Sequence, residues 1–289
     1  MKKVILFVGA GLISLLSFSQ NIDKIINAAE VERIERILSA DDMQGRKVFT
    51  PGIDKAADFI AAEFAKSNLA FFGDNKSYFQ EIKMVKAKSL ELSGTLDAET
   101  LSSSNTAVNT SSAGLQINGL AGYEVKRIKK EDDFFKVAYP LTQANKNLLV
   151  LVDTAQAGFF KRLQWLTARD KVKSAYTQIF VLTANLNPTS FQLNNNNEIR
   201  EQSIKNVVAV IPGKSKKDEY VVFGGHYDHL GIGKPDSKGD SIYNGANDDA
   251  AGTTAVIMLA EYFGKLKNNE RTLVFVAFTA EEVGGFGSQ

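Results

Sequence analysis

The sequence contains no cysteine. That excludes disulfides and a thiol-linked lipid anchor, even though an exported protein could carry either. Histidine is nearly absent too, with only His226 and His229, so imidazole chemistry is confined to one short stretch. Charge of one sign is missing: 34 Lys and Arg face 33 Asp and Glu, for a net +1. No global basic field argues for a nucleic-acid partner. The run Lys126 to Lys130 is followed directly by Glu131, Asp132 and Asp133, and it reads as a solvated face. No internal repeat is present, and no apolar run comfortably reaches the ~20 residues of a membrane span.

What is present is ample apolar content, 44% of 289 residues, enough for one large or two medium globular domains. Met1-Lys2-Lys3 followed by the apolar residues 4–18, with Ser17-Phe18-Ser19 before Gln20, has the form of a secretory signal peptide over residues 1–19. The expectation is a periplasmic or secreted protein with no membrane anchor after cleavage.

Residues 23–38 carry Ile25, Ile26, Ala29, Ile34, Ile37 and Leu38 at helical spacing, and residues 54–65 repeat the pattern after a Pro51-Gly52 turn; both predict core helices. These belong to an N-terminal helical part, residues 20–85. Residues 93–112 are rich in Ser, Thr and Asn, and residues 185–197 include four consecutive asparagines. Both stretches predict loops or borders of an inserted module over residues 86–200. Within it, residues 147–152 and 178–182 predict strands, with a helix over 157–173 between them. Phe159, Phe160, Trp165 and Leu166 could line a substrate-facing surface, although such a stripe at helical spacing is more often core. Residues 206–212 then resume the main sheet, and 213–218 form a charged turn.

The chemistry gathers in residues 201–289. Tyr220-Val-Val-Phe-Gly-Gly225 predicts a buried parallel strand that delivers His226 and Asp228 at its tip, where open α/β sheets place their ligands. Two apart on an extended chain, these two point the same way; one can bind a metal while the other orients it. After a polar loop over 231–246, Asn247-Asp248-Asp249 opens a helix over 250–263, with acid at its N-terminus as the helix dipole favours. Residues 271–279 form a second apolar strand ending at Glu281-Glu282. Adjacent carboxylates at a strand end diverge, so one can ligate a metal while the other acts as a general base in hydrolysis.

These strings resemble a known family, the co-catalytic di-zinc aminopeptidases related to glutamate carboxypeptidase and the transferrin receptor ectodomain. The resemblance is carried by Val221-Val-Phe-Gly-Gly-His-Tyr-Asp-His-Leu-Gly231, Gly245-Ala-Asn-Asp-Asp-Ala-Ala-Gly252 and Phe278-Thr-Ala-Glu-Glu-Val-Gly-Gly-Phe-Gly-Ser288, with a further match at Gly45-Arg46 and residues 51–60. It implies an α/β three-layer zinc-exopeptidase fold with a central mixed, mostly parallel sheet, and it makes the inserted module over residues 86–200 a lid-like α/β module. It also implies two zinc ions, with His226, Asp248 and Glu282 as metal ligands, Asp248 bridging both ions. Glu281 becomes the general base, Asp228 the carboxylate that fixes the His226 tautomer, and the Asp248–Asp249 peptide bond is expected to be cis. A further Asp and a further His ligand are expected downstream, at positions past Gln289. Without them each ion would have two protein ligands where catalytic zinc ordinarily has three, so the sequence is expected to be part of a longer chain or to bind metal weakly. His229 reads as a loop residue. The activity implied is that of an exopeptidase on peptide or protein substrates, most simply an aminopeptidase. A shared metal shell also admits carboxypeptidase or glutaminyl-cyclase-like chemistry, and a silent binding module.

Overall fold

The structure, a computed structural model, describes residues 22–289; the expected signal peptide lies outside the described residues. The chain opens with α1 (Ala28–Leu38) and α2 (Pro51–Lys66). Asn27 caps α1 by accepting the Glu30 N–H at 3.1 Å, and Pro51 opens α2 where its missing N–H costs nothing. There follow β1 (Phe79–Leu96), β2 (Glu99–Leu101), β3 (Thr106–Asn109), β4 (Gly114–Asn118), β5 (Glu124–Ile128), α3 (Phe134–Thr142), β6 (Leu148–Asp153), α4 (Ala157–Thr167), β7 (Lys171–Val172) and β8 (Gln178–Thr183). The last part is β9 (Phe191–Ile211), β10 (Lys216–His226), β11 (Gly231–Ile232), β12 (Ile242–Tyr243), α5 (Ala251–Leu266) and β13 (Arg271–Phe278).

The main sheet runs β10-β13-β9-β1-β2, with β4 added to β9 and β7 to β1. Alternation along β9 and β13 gives it two unlike faces. Val207, Ala209, Ile211, Leu273, Phe275 and Ala277 join one core with α1, α2 and α5. Val208, Val210, Val274 and Val276 form a smaller cluster on the other face, to which no helix among the described residues contributes. A second sheet, β3-β8-β6-β5, is sandwiched between α3 and α4 on one side and the far ends of β1 and β9 on the other.

The α/β class is as expected, but four features differ. Among the described residues only β10–β13 is parallel in the main sheet and its other ladders are antiparallel, and the described helices cover one face, not two. β10 is an edge strand, with Tyr220 60% and Val222 57% exposed, where a buried strand was expected. The asparagine tract is not a loop: it lies inside β9, paired with β1 in register from Phe79↔Val207 to Leu96↔Phe191, and both strands cross the expected module borders without a break. Residues 93–96 and 106–109 are likewise strand. Finally, α4 stops at Thr167, and Lys171–Val172 pair with Val85 and Met84 of β1; tertiary pairing overrides the helical pattern there. The aromatic stripe is split: Phe160 is core, whereas Phe159 and Trp165 are 52% and 59% exposed.

Candidate metal centre

The three predicted stretches meet at one end of the main sheet. β10 and β13 run parallel with His226 opposite Phe278, so His226-Tyr-Asp228 and Thr279-Ala-Glu-Glu282 leave the sheet side by side. The N-terminus of α5 is held against them. Asp249 Oδ1 accepts the Gly252 N–H at 3.0 Å and its Oδ2 accepts the His226 N–H at 3.0 Å. Thr253 Oγ1 donates to the His226 carbonyl at 2.9 Å. The helix start and the strand tip are so close that a Cβ on Gly225 would lie 3.0 Å from Gly252 C, and one on Gly252 only 2.2 Å from Asp249 Oδ1. The Asp248–Asp249 peptide bond is cis, as expected.

Asp248 is the shared element. Its Oδ1 lies 3.1 Å from His226 Nε2, and its side chain is 63% exposed. A ligand atom of Asp248 also lies within 4.8 Å of ligand atoms on His229 and Glu282, which lie within the same distance of each other. His229 Nδ1 is 2.7 Å from Glu282 Oε1. His226 is not part of that second group, so Asp248 stands between two donor sets.

Asp228 is fully buried, and its carboxylate holds the Glu281-Glu282 turn: Oδ1 accepts the Glu281 N–H at 3.0 Å, and Oδ2 the Glu282 N–H at 3.2 Å. Burial raises its pKa, and those two amides and the nearby His226 oppose the rise. His226 Nδ1 is 3.1 Å from the Asp228 backbone carbonyl and 3.8 Å from its carboxylate, so the hydrogen-bonding partner that sets the ring is main chain. The turn itself is entered through Ala280 in the left-handed region, φ 60°, a conformation that Cβ-bearing residues adopt at a cost and that clusters at functional sites. Glu281 is exposed and Glu282 half-buried.

Sequence reasoning gave no role to Arg46, Asp249 or Thr253. Arg46 is 1% exposed and donates to four carbonyls: Tyr227 (2.7 Å), Leu38 (2.5 Å), Asn244 (2.6 Å) and Gly245 (2.9 Å). It thereby ties α1, the tip of β10 and the loop before Asp248 into one body. Burial pulls its guanidinium down to about 10, against the opposing pull of Asp228, Asp249 and Asp248. The signal in the sequence was the Gly45-Arg46 match, which marked the position without giving it a role. A cavity of about 580 Å³ lies next to the Glu281-Glu282 turn, lined by Val283 and Phe286 and, from the inserted module, by Asn109, Tyr139, Arg169 and Tyr176.

The donor set of imidazole and carboxylate, open to solvent at Asp248, suits a divalent transition metal. Residues 206–289, the segment that carries the site, match Peptidase family M28. The chain is 40% identical over 87 residues to a "Probable zinc metalloprotease" of Pyrenophora teres f. teres (strain 0-1), covering 30% of this chain and 18% of that protein. It is 39% identical over 87 residues to a protein of the same description from Pyrenophora tritici-repentis (strain Pt-1C-BFP), covering 30% and 19%. The matched segment thus spans under a fifth of the length of these relatives. Among solved structures, an aminopeptidase from Aneurinibacillus sp. strain AM-1 superposes with a TM-score of 0.43 at 17% identity, covering 92% of this chain and 66% of that one. A Peptidase M28 precursor from Shewanella amazonensis SB2B gives 0.43 at 16%, covering 92% and 67%.

Proposed function

We propose that the protein is an exported zinc exopeptidase acting as an aminopeptidase, removing N-terminal residues from peptides. The observation that carries this reading is the position of Asp248 between two donor sets, His226 on one side and Glu282 on the other. Two ligands on one tetrahedral zinc are separated by about 3.3 Å when metal–ligand bonds are about 2.0–2.1 Å; His226 Nε2 and Asp248 Oδ1, at 3.1 Å, fit that edge. His226 and Asp248 would hold one ion, and Asp248 and Glu282 the other. When bound, zinc would polarise the scissile carbonyl and make water a stronger nucleophile at neutral pH. Glu281, exposed beside Glu282, takes the proton from the attacking water and returns it to the leaving amine. Asp228 keeps the two glutamates apart in role by pinning both their amides. The peptide beyond the scissile bond lies in the adjoining cavity. Export rests on the N-terminal pattern alone; among the described residues no helix is long and apolar enough to cross a membrane.

Glu281→Gln is expected to retain zinc and to lose hydrolysis of an aminoacyl-anilide by about 10²–10⁴-fold, while Glu282→Gln loses zinc. Elemental analysis and a rate assay on both variants test this. Equal zinc loss in the two, or full activity in Glu281→Gln, would overturn the assignment.

A further inference from the structure

His229 has no role in the reading above, yet it is the imidazole nearest Glu282. Its Nδ1 lies 2.7 Å from Glu282 Oε1, with the two side chains only 11% and 19% exposed. Two arrangements could bring them together: both bind one metal ion, or one donates a hydrogen bond to the other. The separation decides between them. Two ligands of one tetrahedral zinc stand about 3.3 Å apart, whereas a charge-assisted N–H···O bond closes to about 2.7–2.9 Å.

We propose that His229 is a positioning residue: its Nδ1–H donates to Glu282 Oε1 and leaves Oε2 to face the metal. The inference rests on the zinc-peptidase reading for its purpose, though not for its geometry. The ring is held in place from two further directions. The His229 backbone N–H donates to the Arg46 carbonyl at 3.1 Å. Gly245 leaves room for the imidazole, since a Cβ there would come within 2.6 Å of His229 Cδ2 and 2.7 Å of Cγ. Gly245 is itself fixed, at φ 60°, by the Arg46 guanidinium on its carbonyl. One buried arginine thus sets both the backbone and the packing of the ring that aims Glu282. A carboxylate with one oxygen already bonded has fewer orientations to give up when it binds an ion, which is how partners behind metal ligands raise affinity.

Two measurements test the proposal on the full chain. Long-range ¹H–¹⁵N spectra of the imidazoles at mildly alkaline pH, without metal, should show His229 carrying hydrogen on Nδ1; a neutral ring protonated on Nε2 overturns the proposal. Zinc affinity by chelator competition should fall by about 10–100-fold in His229→Ala and recover to within a few-fold of the native value in His229→Asn, whose amide nitrogen occupies the place of Nδ1. Circular dichroism checks that both variants fold. Asn as weak as Ala would mean that His229 ligates the metal itself and would sink the positioning role. Native protein that binds no zinc would defeat the peptidase reading, and the proton position on His229 would still decide the hydrogen bond.

Discussion

Asp249 Oδ2 accepts the backbone N–H of His226 at 3.0 Å, so the first imidazole of the site is fixed to the start of α5 by a side chain that is not itself in the donor set. Because Asp249 Oδ1 also accepts the Gly252 N–H, the carboxylate bridges strand tip and helix start. It can do so only while position 252 lacks a Cβ.

Gly252→Ala is accordingly expected to push Asp249 out of the junction. A methyl 2.2 Å from Oδ1 cannot be relieved by moving a flexible chain end, since that carboxylate is bonded at both oxygens; the cost is about 1–3 kcal/mol. Zinc affinity should fall at least tenfold as His226 loses its anchor. Gly158→Ala is the control: nothing lies within 4 Å of its Cβ position in α4, so it should leave stability unchanged or raise it by about 0.4–1 kcal/mol. Thermal melts and chelator competition on both variants check this. A Gly252→Ala protein as stable as the native one would show that the junction is slack.

Arg46 makes a sharper demand on chemistry than on charge. Its planar fork reaches carbonyls from α1, β10 and the loop before Asp248, which a single ammonium cannot span. Arg46→Lys should therefore lose most of what Arg46→Ala loses, about 3 kcal/mol or more, because buried carbonyls are left unpaired in both. Urea denaturation measures the two. Lysine restoring near-native stability would mean that charge, and not the fork, is what the site requires.

Glu63 provides the pH test. Burial raises its pKa, but the paired hydrogen bonds from Arg33 at 3.1 and 3.0 Å and from Lys66 at 2.7 Å outweigh that, and the net shift is downward. A carboxylate depressed in the folded state contributes stability that is complete above its unfolded pKa of about 4.3 and is lost as pH falls through the folded value. Glu63→Gln is expected to cost about 1–3 kcal/mol at pH 7. The gap to the native protein should close on acidification below pH 4, as followed by denaturant melts across that range. A gap independent of pH would assign the effect to packing.

The site was more legible than the sheet that bears it. Tyr220 to Gly225 reads as a strand from its β-branched and aromatic residues, and it lies in β10. Its position at the edge depends on neighbours remote in sequence, and a local apolar run carries no information about them. The asparagines failed for a different reason. Burial alternates faithfully along Phe191 to Glu198, but the inward places at 195 and 197 are polar. They are satisfied sideways: Asn195 Nδ2 donates to Ser89 Oγ and the Glu91 carbonyl, and Asn197 Nδ2 to Asn195 Oδ1 and the Ser112 carbonyl. A period of two written in one residue type is invisible to a hydropathy pattern. His229 was passed over because period-two reasoning stops where the strand stops, and the loop turns the next imidazole toward Glu282.

The unbroken pairing of β1 with β9 has a mechanical consequence. A lid on a flexible linker swings freely, but here the second sheet packs on the far ends of β1 and β9, whose hydrogen-bonded ladder continues from Phe79↔Val207 to Leu96↔Phe191 with one irregularity, between Ser89 and Glu91. Leu90, 64% exposed, is the unmatched residue, and such bulges bend a strand and add twist. Displacement of the module toward the Glu281-Glu282 turn must therefore be taken up as torsion of the β1–β9 ribbon, and the bulge at Leu90 is where that ribbon yields most readily.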